Sequence, residues 1–276
     1  MVKSKFEAPA GAGCVSVLNA ENSGLKWLKF DLLRLKAGET WQQASGGEEW
    51  AFVWLKGRCE VSVEGREAQH WDSVGGRDDV FGGPPFVLYV SRQMTVGLKA
   101  LSDAEVALAK SLCEVDMPVR LLSPGDANVL SSGAGPWRRD VRLLLPPGSP
   151  VSQRLIVGET LHAPAQWSGW PPHKHDTVSA EEHPLEEFYF YRTKPMDGFG
   201  VQLLYGGPND LREAHMVSHN DTVVFHEGYH PYVAGPGASC YYLWVLAGEK
   251  KVYKVTTDPQ YSWAMTAEAM IKERGR

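Results

Sequence analysis

The chain has few of the features that mark secreted or membrane proteins. Its four cysteines are far apart and form no CxxC pair, so we expect free thiols in a reducing compartment rather than a disulfide framework. There is no run of about 18 apolar residues, and the N-terminal segment MVKSKFEAPAGAGC has no apolar stretch of signal-peptide length. These absences predict a cytoplasmic protein that does not span a membrane.

Positive charge is also scarce. The 28 lysines and arginines are outnumbered by 33 acidic residues, which gives a net charge of -5. No basic cluster supplies the electrostatic footprint of a nucleic-acid binder, so we expect no nucleic-acid partner. Hydrophobic residues make up 43% of the 276 positions, which is enough for a sizeable core in one large domain or two moderate ones.

Short apolar runs separated by Gly, Pro and Asp indicate an all-β chain. Their brevity and regular spacing predict a sandwich or jelly roll. The clearest runs are 50–55, 59–63, 86–90, 141–145, 188–191, 201–205, 222–225 and 240–246. One helix is predicted, at 262–273, because apolar residues recur there and basic residues lie at its end.

The two halves of the chain resemble a diverged repeat. Each half has a Gly-Glu-Thr turn, at 38–40 and 158–160, followed by a Glu-Glu strand at 48–49 and 186–187. A Gly-, Pro- and Ser-rich stretch at 123–136 lies between them and is the predicted linker. We therefore predict one domain at 1–125 and a second at 137–276.

Histidine is distributed very unevenly. Of nine histidines, only His70 lies within the first 161 residues, and the other eight fall between His162 and His230. The first half has Gln42 and Gln43 at the place where the second half has its histidines. This asymmetry predicts a functional site in the second half alone.

A His-x-His pair is the strongest candidate for that site. His173 and His175 occupy alternate positions of a predicted strand, so both face one side while Lys174 faces the other. Downstream lie the pair at 186–187 and His230 after a glycine turn. Imidazole and carboxylate together suit Zn, Mn, Fe or Ni.

The other histidines have weaker claims as ligands. His226 competes with His230, and its position near the turn also suits a supporting contact. We interpret His183, His215 and His219 as loop or solvated residues, because acidic and polar residues surround them. A His-x-His pair alone is also common on protein surfaces, so the separate Glu and His are what strengthen the metal hypothesis.

Longer motifs give the chain a family resemblance. The segments WSGWPPHKHD at 167–176, LEEFYFYR at 185–192, GYHP at 228–231 and YYLWVLAG at 241–248 resemble the 5-deoxy-glucuronate isomerase family of myo-inositol catabolism. The segments 80–90 and 142–147 of the first half also fit, so the resemblance covers nearly the whole chain. The related 4-deoxy-5-threo-hexosulose-uronate ketol-isomerase family shares the Glu-aromatic strand.

The resemblance implies an all-β bicupin, two tandem jelly-roll (double-stranded β-helix) barrels with a short C-terminal helix. The N-terminal barrel is expected to lack a metal, and the C-terminal barrel to hold a divalent ion, Zn or Mn. The motifs imply His173, His175, Glu187 and His230 as ligands, with Glu187 preferred to Glu186 because it directly precedes the aromatic strand. A homo-oligomer is compatible with this assignment.

The implied reaction interconverts an aldose and a ketose, 5-deoxy-glucuronate and 5-dehydro-2-deoxy-gluconate, through an enediol. A base must then remove a carbon-bound proton. Tyr189, Tyr229, Glu186 and a hydroxide on the metal remain alternatives for that base, and Gln202 is predicted to orient the substrate hydroxyls. The candidates to bind the substrate carboxylate are Arg142, Arg192 and Lys174.

The sequence departs from the family pattern at three places. Leu203-Leu204 stands where an Arg is expected, Trp244 stands where an Asn is expected, and His226-Glu227 replaces a Pro and a basic residue. These departures leave two alternatives open besides the isomerase, namely a paralogue that binds or isomerises another sugar acid and a metal-dependent cupin oxygenase.

Overall fold

A computed structural model describes residues 3–274 of the chain. Its regular secondary structure consists mainly of strands, as the sequence predicts. The first ten are β1 (Lys5–Glu7), β2 (Gly13–Leu18), β3 (Leu28–Leu35), β4 (Thr40–Ala44), β5 (Glu48–Lys56), β6 (Arg58–Glu64), β7 (Gln69–Gly75), β8 (Val87–Val90), β9 (Thr95–Ala100) and β10 (Ala104–Leu112).

Thirteen further strands follow within the described residues. They are β11 (Arg120–Leu122), β12 (Asn128–Ser132), β13 (Arg139–Leu145), β14 (Ile156–His162), β15 (Trp167–Ser168), β16 (His173–Lys174), β17 (Glu186–Lys194), β18 (Phe199–Gly206), β19 (Leu211–Ser218), β20 (Asp221–Phe225), β21 (Tyr232–Ala234), β22 (Ser239–Ala247) and β23 (Thr256–Thr257). The helices are α1 (Ala20–Ser23) and α2 (Trp263–Arg274), with 3₁₀ turns at Pro124–Asp126, Gly135–Trp137 and Pro259–Tyr261.

The chain divides into two compact units that are not continuous in sequence. The first comprises the described residues up to Asn128 together with Leu143–Val157 and Val245–Lys251. The second comprises Val129–Arg142, Gly158–Trp244 and the described residues from Val252 onward. Two short segments of the C-terminal half therefore pack with the first unit, and the predicted bounds 1–125 and 137–276 stay a prediction.

The first unit is a sandwich with an apolar interior. One sheet has the strand order β11-β8-β5-β10-β3-β2 and the other has β4-β9-β6-β7, all in antiparallel register where pairs are resolved. Alternate residues of β5 point inward, and Trp50, Phe52 and Trp54 fill the core with side chains that are at most 1% exposed. Large apolar rings thus fill the interior of this unit.

The second unit has the same type of two-sheet architecture with a more polar interior. Its larger sheet runs in the order β20-β17-β22-β14-β13-β12, and β15-β21-β18-β19 form the opposing sheet. Tyr189 and Tyr191 of β17 point inward, together with Tyr232 and Tyr242. Tyrosine hydroxyls bring polar atoms into this interior that the apolar core of the first unit lacks.

The Glu-Glu strands of the two halves differ in orientation. Glu49 adjoins the inward-facing Trp50 on β5 and therefore faces outward, whereas Glu187 shares the inner face of β17 with Tyr189. The carboxylate of Glu49 accepts hydrogen bonds from the Tyr89 hydroxyl at 2.6 Å and from three backbone amides of residues 153–155 at 2.7–2.8 Å. Both strands begin with Glu-Glu, but the inward-facing positions differ by one residue between them. The second glutamate therefore faces outward in β5 and inward in β17.

The predicted linker differs from the structure, whereas the predicted helix agrees with it. Strand β12 and two 3₁₀ turns lie within or across 123–136, so this stretch is structured rather than a plain linker. The predicted helix at 262–273 corresponds to α2 with a shift of one residue. Among residues 3–274, no helix is long and apolar enough to cross a lipid bilayer.

Candidate metal centre

Three buried side chains converge inside the second unit. His175, Glu187 and His230 are each at most 4% exposed, and their potential ligand atoms all lie within 4.8 Å of one another. The Nε2 atom of His175 lies 3.0 Å from Glu187 Oε2, and the Nε2 atom of His230 lies 3.2 Å from the same oxygen. Two imidazole nitrogens and a carboxylate therefore face one point.

The backbone selects which ring nitrogens face that point. His175 Nδ1 lies 2.9 Å from the carbonyl oxygen of Leu185, and His230 Nδ1 lies 3.1 Å from that of Gly228. A carbonyl can only accept, so each Nδ1 carries a hydrogen, and the form of the ring that binds a metal presents its lone pair at Nε2. Metal-binding histidines are oriented by contacts of this kind.

One of these nitrogens lacks a hydrogen bond. His230 Nε2 is fully buried, and despite its proximity to Glu187 its geometry satisfies no hydrogen bond. A buried polar atom without a partner is costly unless something else occupies its lone pair. The donor set, two imidazoles and one carboxylate, fits a divalent ion such as Zn or Mn.

The charges of the cluster also suit a cation. Burial opposes ionisation of Glu187, but the neighbouring rings of His175 and His230 lower its pKa to about 2. Burial likewise opposes protonation of His175, yet Glu187 raises the pKa of that ring. Glu187 is therefore a carboxylate at neutral pH, as a metal ligand must be.

His173 lies beside the three-residue cluster rather than within it. Its ring centroid is 4.8 Å from that of His230 and 6.4 Å from that of His175, and the side chain is half-buried on β16. Burial, followed by the neighbouring rings of His230 and His175, lowers the pKa of His173 to about 3, so the ring is neutral. Its predicted role as a fourth ligand stays a prediction.

A network of charges holds the loop that carries His175. The ammonium of Lys174 contacts Asp176 at 2.5 Å and Glu182 at 2.9 Å, pointing away from the cluster. Asp176 Oδ2 in turn accepts a hydrogen bond of 2.7 Å from the backbone N–H of Gly228. This contact ties the His-x-His segment to the turn that precedes His230.

That turn requires glycine. Gly228 has a φ of 81°, and a Cβ there would lie 2.6 Å from the carbonyl oxygen of Tyr205. Any other residue would meet both a left-handed backbone and a backbone clash. The close approach lets Tyr229 pair with Tyr205 through two backbone hydrogen bonds of 2.8 and 3.0 Å, which directs His230 inward.

The two predicted catalytic tyrosines lie in different surroundings. Tyr189 is 5% exposed, stacks on Tyr242 at 4.1 Å between centroids and lies 6.2 Å from the His230 ring. Tyr229 is half-buried beside Tyr205, with 5.2 Å between ring centroids. Burial raises the pKa of both hydroxyls, far more strongly for Tyr189.

Gln202 is fully buried and its amide is engaged by the protein. Its Oε1 accepts a hydrogen bond of 2.7 Å from the Tyr191 hydroxyl. Its Nε2 lies 2.8 Å from the carbonyl oxygen of His230 and 3.1 Å from that of Pro231. The predicted contact with substrate hydroxyls would require these bonds to break, whereas the observed contacts position the backbone of His230.

The three predicted carboxylate-binding cations are each held elsewhere. Arg142 contacts Glu159 at 3.1 Å. Arg192 contacts His219 and Asn220 and lies over the Phe190 ring on the outer face of β17. Lys174 is held by its acidic neighbours. None of the three therefore points at the cluster.

The structure also shows the surroundings of the residues that depart from the family pattern. Leu203 alternates with the buried Gln202 and Leu204, so position 203 faces away from the interior. Trp244 faces inward and donates a hydrogen bond of 3.1 Å to Thr160 Oγ1, filling the space above Gly158. His226 is exposed and lies outside the three-residue cluster.

Three residues in or near this interior were not singled out by the sequence reasoning. His162 is 3% exposed between Tyr232 and Tyr242, and neither of its ring nitrogens has a hydrogen-bond partner among the described residues. Arg139 and Tyr253 act electrostatically on this interior as well. Strand parity could have indicated His162 and Arg139, while Tyr253 lies in a segment without regular structure.

Comparison with known proteins places these features in a family. A model of the KduI/IolB family matches residues 1–264. The 5-deoxy-glucuronate isomerase of Geobacillus kaustophilus is 33% identical over 269 residues, which is 97% of this chain and 96% of that protein. The protein of that name from Bacillus subtilis strain 168 is 31% identical over 261 residues, covering 94% and 95%.

Solved structures agree with this result. The crystal structure of an IolB-like protein from Salmonella typhimurium LT2 superposes with a TM-score of 0.91 at 29% identity, covering 95% of this chain and 99% of that one. Lactobacillus farciminis oxalate decarboxylase shares the fold alone, with a TM-score of 0.69 at 11% identity over 99% and 93% of the two chains.

The fold is that of a bicupin, and a buried cluster that could hold a metal lies in its second unit. The chain belongs to the KduI/IolB family. The predicted fold class and the predicted family resemblance are thus confirmed.

Proposed function

We propose that this chain is a metal-dependent aldose–ketose isomerase that converts 5-deoxy-glucuronate to 5-dehydro-2-deoxy-gluconate in the cytoplasm. The relatives that bear the name 5-deoxy-glucuronate isomerase align over nearly the whole chain, which supports an enzyme of this type. The observation that carries the proposal is the buried cluster of His175, Glu187 and His230, whose ligand atoms face one point.

The proposed metal ligands are these three residues together with His173, and the proposed ion is Zn or Mn. When bound, the ion supplies Lewis-acid stabilisation of negative charge on the carbonyl and hydroxyl oxygens of the substrate. The chain provides a carboxylate that is ionised at neutral pH and imidazoles whose Nδ1 atoms are held by backbone carbonyls, so that each Nε2 faces the proposed ion. A metal-binding role also accounts for the unpartnered nitrogen of His230.

Tyr189 is proposed to donate a hydrogen bond to the substrate. Its ring is fixed by stacking on Tyr242 and by an edge contact with Phe225 at 4.5 Å between centroids. Burial raises the pKa of Tyr189 far above its ordinary value, so its Oη keeps its proton at neutral pH and acts as a donor rather than a base. Of the predicted bases, Glu186, Tyr229 and a hydroxide on the metal then remain, and Tyr229 is half-buried on the turn that carries His230.

The test combines metal analysis with turnover. The protein is stripped with a chelator, reloaded with Zn or Mn, and supplied with 5-deoxy-glucuronate while NMR follows the appearance of the ketose. We expect about one metal per chain and conversion only after reloading. Deuterium incorporated from D₂O into the product would support proton transfer through an enediol, because a hydride shift exchanges no hydrogen with solvent.

Two histidine variants make the test specific. His175→Ala is expected to lose both metal and turnover while keeping its far-UV circular dichroism. His215→Ala is the matched control, because His215 is half-buried on β19 and contacts Glu213 at 2.8 Å outside the cluster. Metal retained by His175→Ala contradicts the ligand assignment. Sugar-acid binding without turnover, or oxygen-dependent turnover, contradicts the isomerase.

A further inference from the structure

The proposed substrate has two chemically different ends. Isomerisation takes place at the aldehyde carbon and its neighbour, whereas the carboxylate lies at the far end of the six-carbon chain. A site that holds the reacting end at the metal centre also needs a cation to bind the other end, because a carboxylate is poorly accommodated in an interior without a charged partner. The three cations predicted for this role are engaged with other residues.

Strand geometry places a different arginine in the interior. Arg142 of β13 pairs with Glu159 of β14, and Tyr241 of β22 donates to the same carboxylate, so these three side chains share one face of the sheet. Residues three apart on a strand point to opposite faces. Arg139 therefore lies on the opposite, inner face, which is the face of His162 on the neighbouring strand.

The guanidinium of Arg139 is held in place but carries no ion pair. Its Nη1 donates a hydrogen bond of 3.2 Å to the carbonyl of Trp137, and the group is half-buried. Gly133 has a φ of 79° and a Cβ there would lie 2.9 Å from Nη1, so the turn makes room for the guanidinium. Over residues 3–274 no carboxylate lies within ion-pair distance of Arg139, and its charge acts on the Glu268 carboxylate only from farther away, so most of its donors have no protein acceptor.

The charge of Arg139 acts electrostatically on several side chains of the second unit. Burial is the largest cause of the lowered pKa of His162, and the charge of Arg139 is the next largest. The same charge also acts on His173, Tyr242 and Tyr253. Tyr253 is 44% exposed, while its hydroxyl interacts electrostatically with Glu187 as well. Arg139 thus shares the inner face with His162, whose ring centroid lies 5.1 Å from that of Tyr242, the residue that stacks on Tyr189 beside the metal-binding cluster.

We propose that Arg139 binds the carboxylate of the sugar acid and thereby determines the preference for an acid over a neutral sugar. This proposal rests on the proposed function, since it concerns the far end of the same substrate. A guanidinium can bind a carboxylate through two parallel hydrogen bonds, which fixes orientation as well as charge. The role is one of substrate binding, separate from the groups at the reacting carbons.

The test compares two substrates that differ only at the far end. 5-Deoxy-glucose carries a CH₂OH group where 5-deoxy-glucuronate carries its carboxylate. Arg139→Met removes the charge while keeping most of the length of the side chain. We expect kcat/KM for the acid to fall about 100-fold, mainly through KM, and kcat/KM for the neutral sugar to stay within about threefold. Arg139→Lys should restore part of the preference for the acid.

The matched control is Arg138→Met, one residue away. Arg138 is exposed, and its Nε donates a hydrogen bond of 2.8 Å to Ser131 Oγ. The Arg138→Met variant therefore removes the same charge from the protein surface. The preference for the acid should persist in this variant, and metal content should be equal in all four proteins. If Arg139→Met slows both substrates equally or leaves the preference intact, the proposal is overturned.

A failure of the isomerase proposal is distinguishable from a failure of this one. If the wild-type protein turns over neither sugar, equilibrium binding of D-glucuronate and D-glucose is measured by ligand-observed NMR. Tighter binding of the acid that disappears in Arg139→Met and persists in Arg138→Met supports the role of Arg139. Equal binding of the acid by Arg139→Met and wild type refutes it.

Discussion

Replacing Gln202 tests whether this residue positions the backbone of His230 or contacts the substrate. In Gln202→Leu the Tyr191 hydroxyl and the carbonyl of His230 each lose a buried partner that lies 2.7–2.8 Å away. A buried polar group without a partner costs about 1–3 kcal/mol, so two such groups cost about 2–6 kcal/mol. The carbonyl of Pro231 keeps the N–H of Leu203 at 2.9 Å and adds little.

The assay is urea unfolding of the metal-free protein, followed by circular dichroism. A loss of 2–6 kcal/mol, on the order calculated above, is a large part of the about 5–15 kcal/mol that stabilises a typical domain. Because Gln202 contacts the backbone of His230, metal affinity should fall together with stability. Tyr191→Phe provides the matched variant, since it removes the other end of one hydrogen bond.

A double-mutant cycle makes this reasoning refutable. Each single variant leaves one group of the Tyr191–Gln202 pair unpartnered, whereas the double variant removes both. We therefore expect the double variant to be less destabilised than the sum, with a coupling of about 0.5–3 kcal/mol. If Gln202→Leu unfolds within about 0.5 kcal/mol of wild type and still loses turnover, the residue acts on the substrate instead.

Three further predictions concern packing, a buried carboxylate and pH. Gly158→Ala should lower the melting temperature sharply, because the new Cβ would lie 2.0 Å from Cζ2 of Trp244, and Trp244→Phe should restore part of the loss. Glu49→Leu should lower the free energy of unfolding by about 3 kcal/mol or more, measured in urea, because three amides and the Tyr89 hydroxyl lose their acceptor; a loss below about 1 kcal/mol would contradict this. Burial lowers the pKa of Lys251 to about 8, so between about pH 8 and 10.5 the unfolded chain binds more protons than the folded chain. The free energy of unfolding should therefore rise with pH over that window, relative to that of Lys251→Met. If urea unfolding gives the same pH dependence for both proteins, this prediction is wrong.

The sequence alone predicted the fold class and the candidate residues of the site, because both depend on local patterns. Short alternating runs indicate strands whatever their partners are. Strand parity and histidine spacing brought His175, Glu187 and His230 forward as candidates, and the three side chains meet in the structure. The family motifs then identified which of the two neighbouring glutamates to prefer.

Only the tertiary structure decided how the remaining polar residues are used. Whether a cation is available depends on carboxylates that belong to other strands, as the pairing of Arg142 with Glu159 shows. The amide of Gln202 is engaged by the carbonyl of His230, 28 positions away in the chain. Such contacts depend on which strands become neighbours, and alternation along one strand carries no information about that. The sequence thus determined which face each side chain occupies, and the packing of distant strands decided what it meets there.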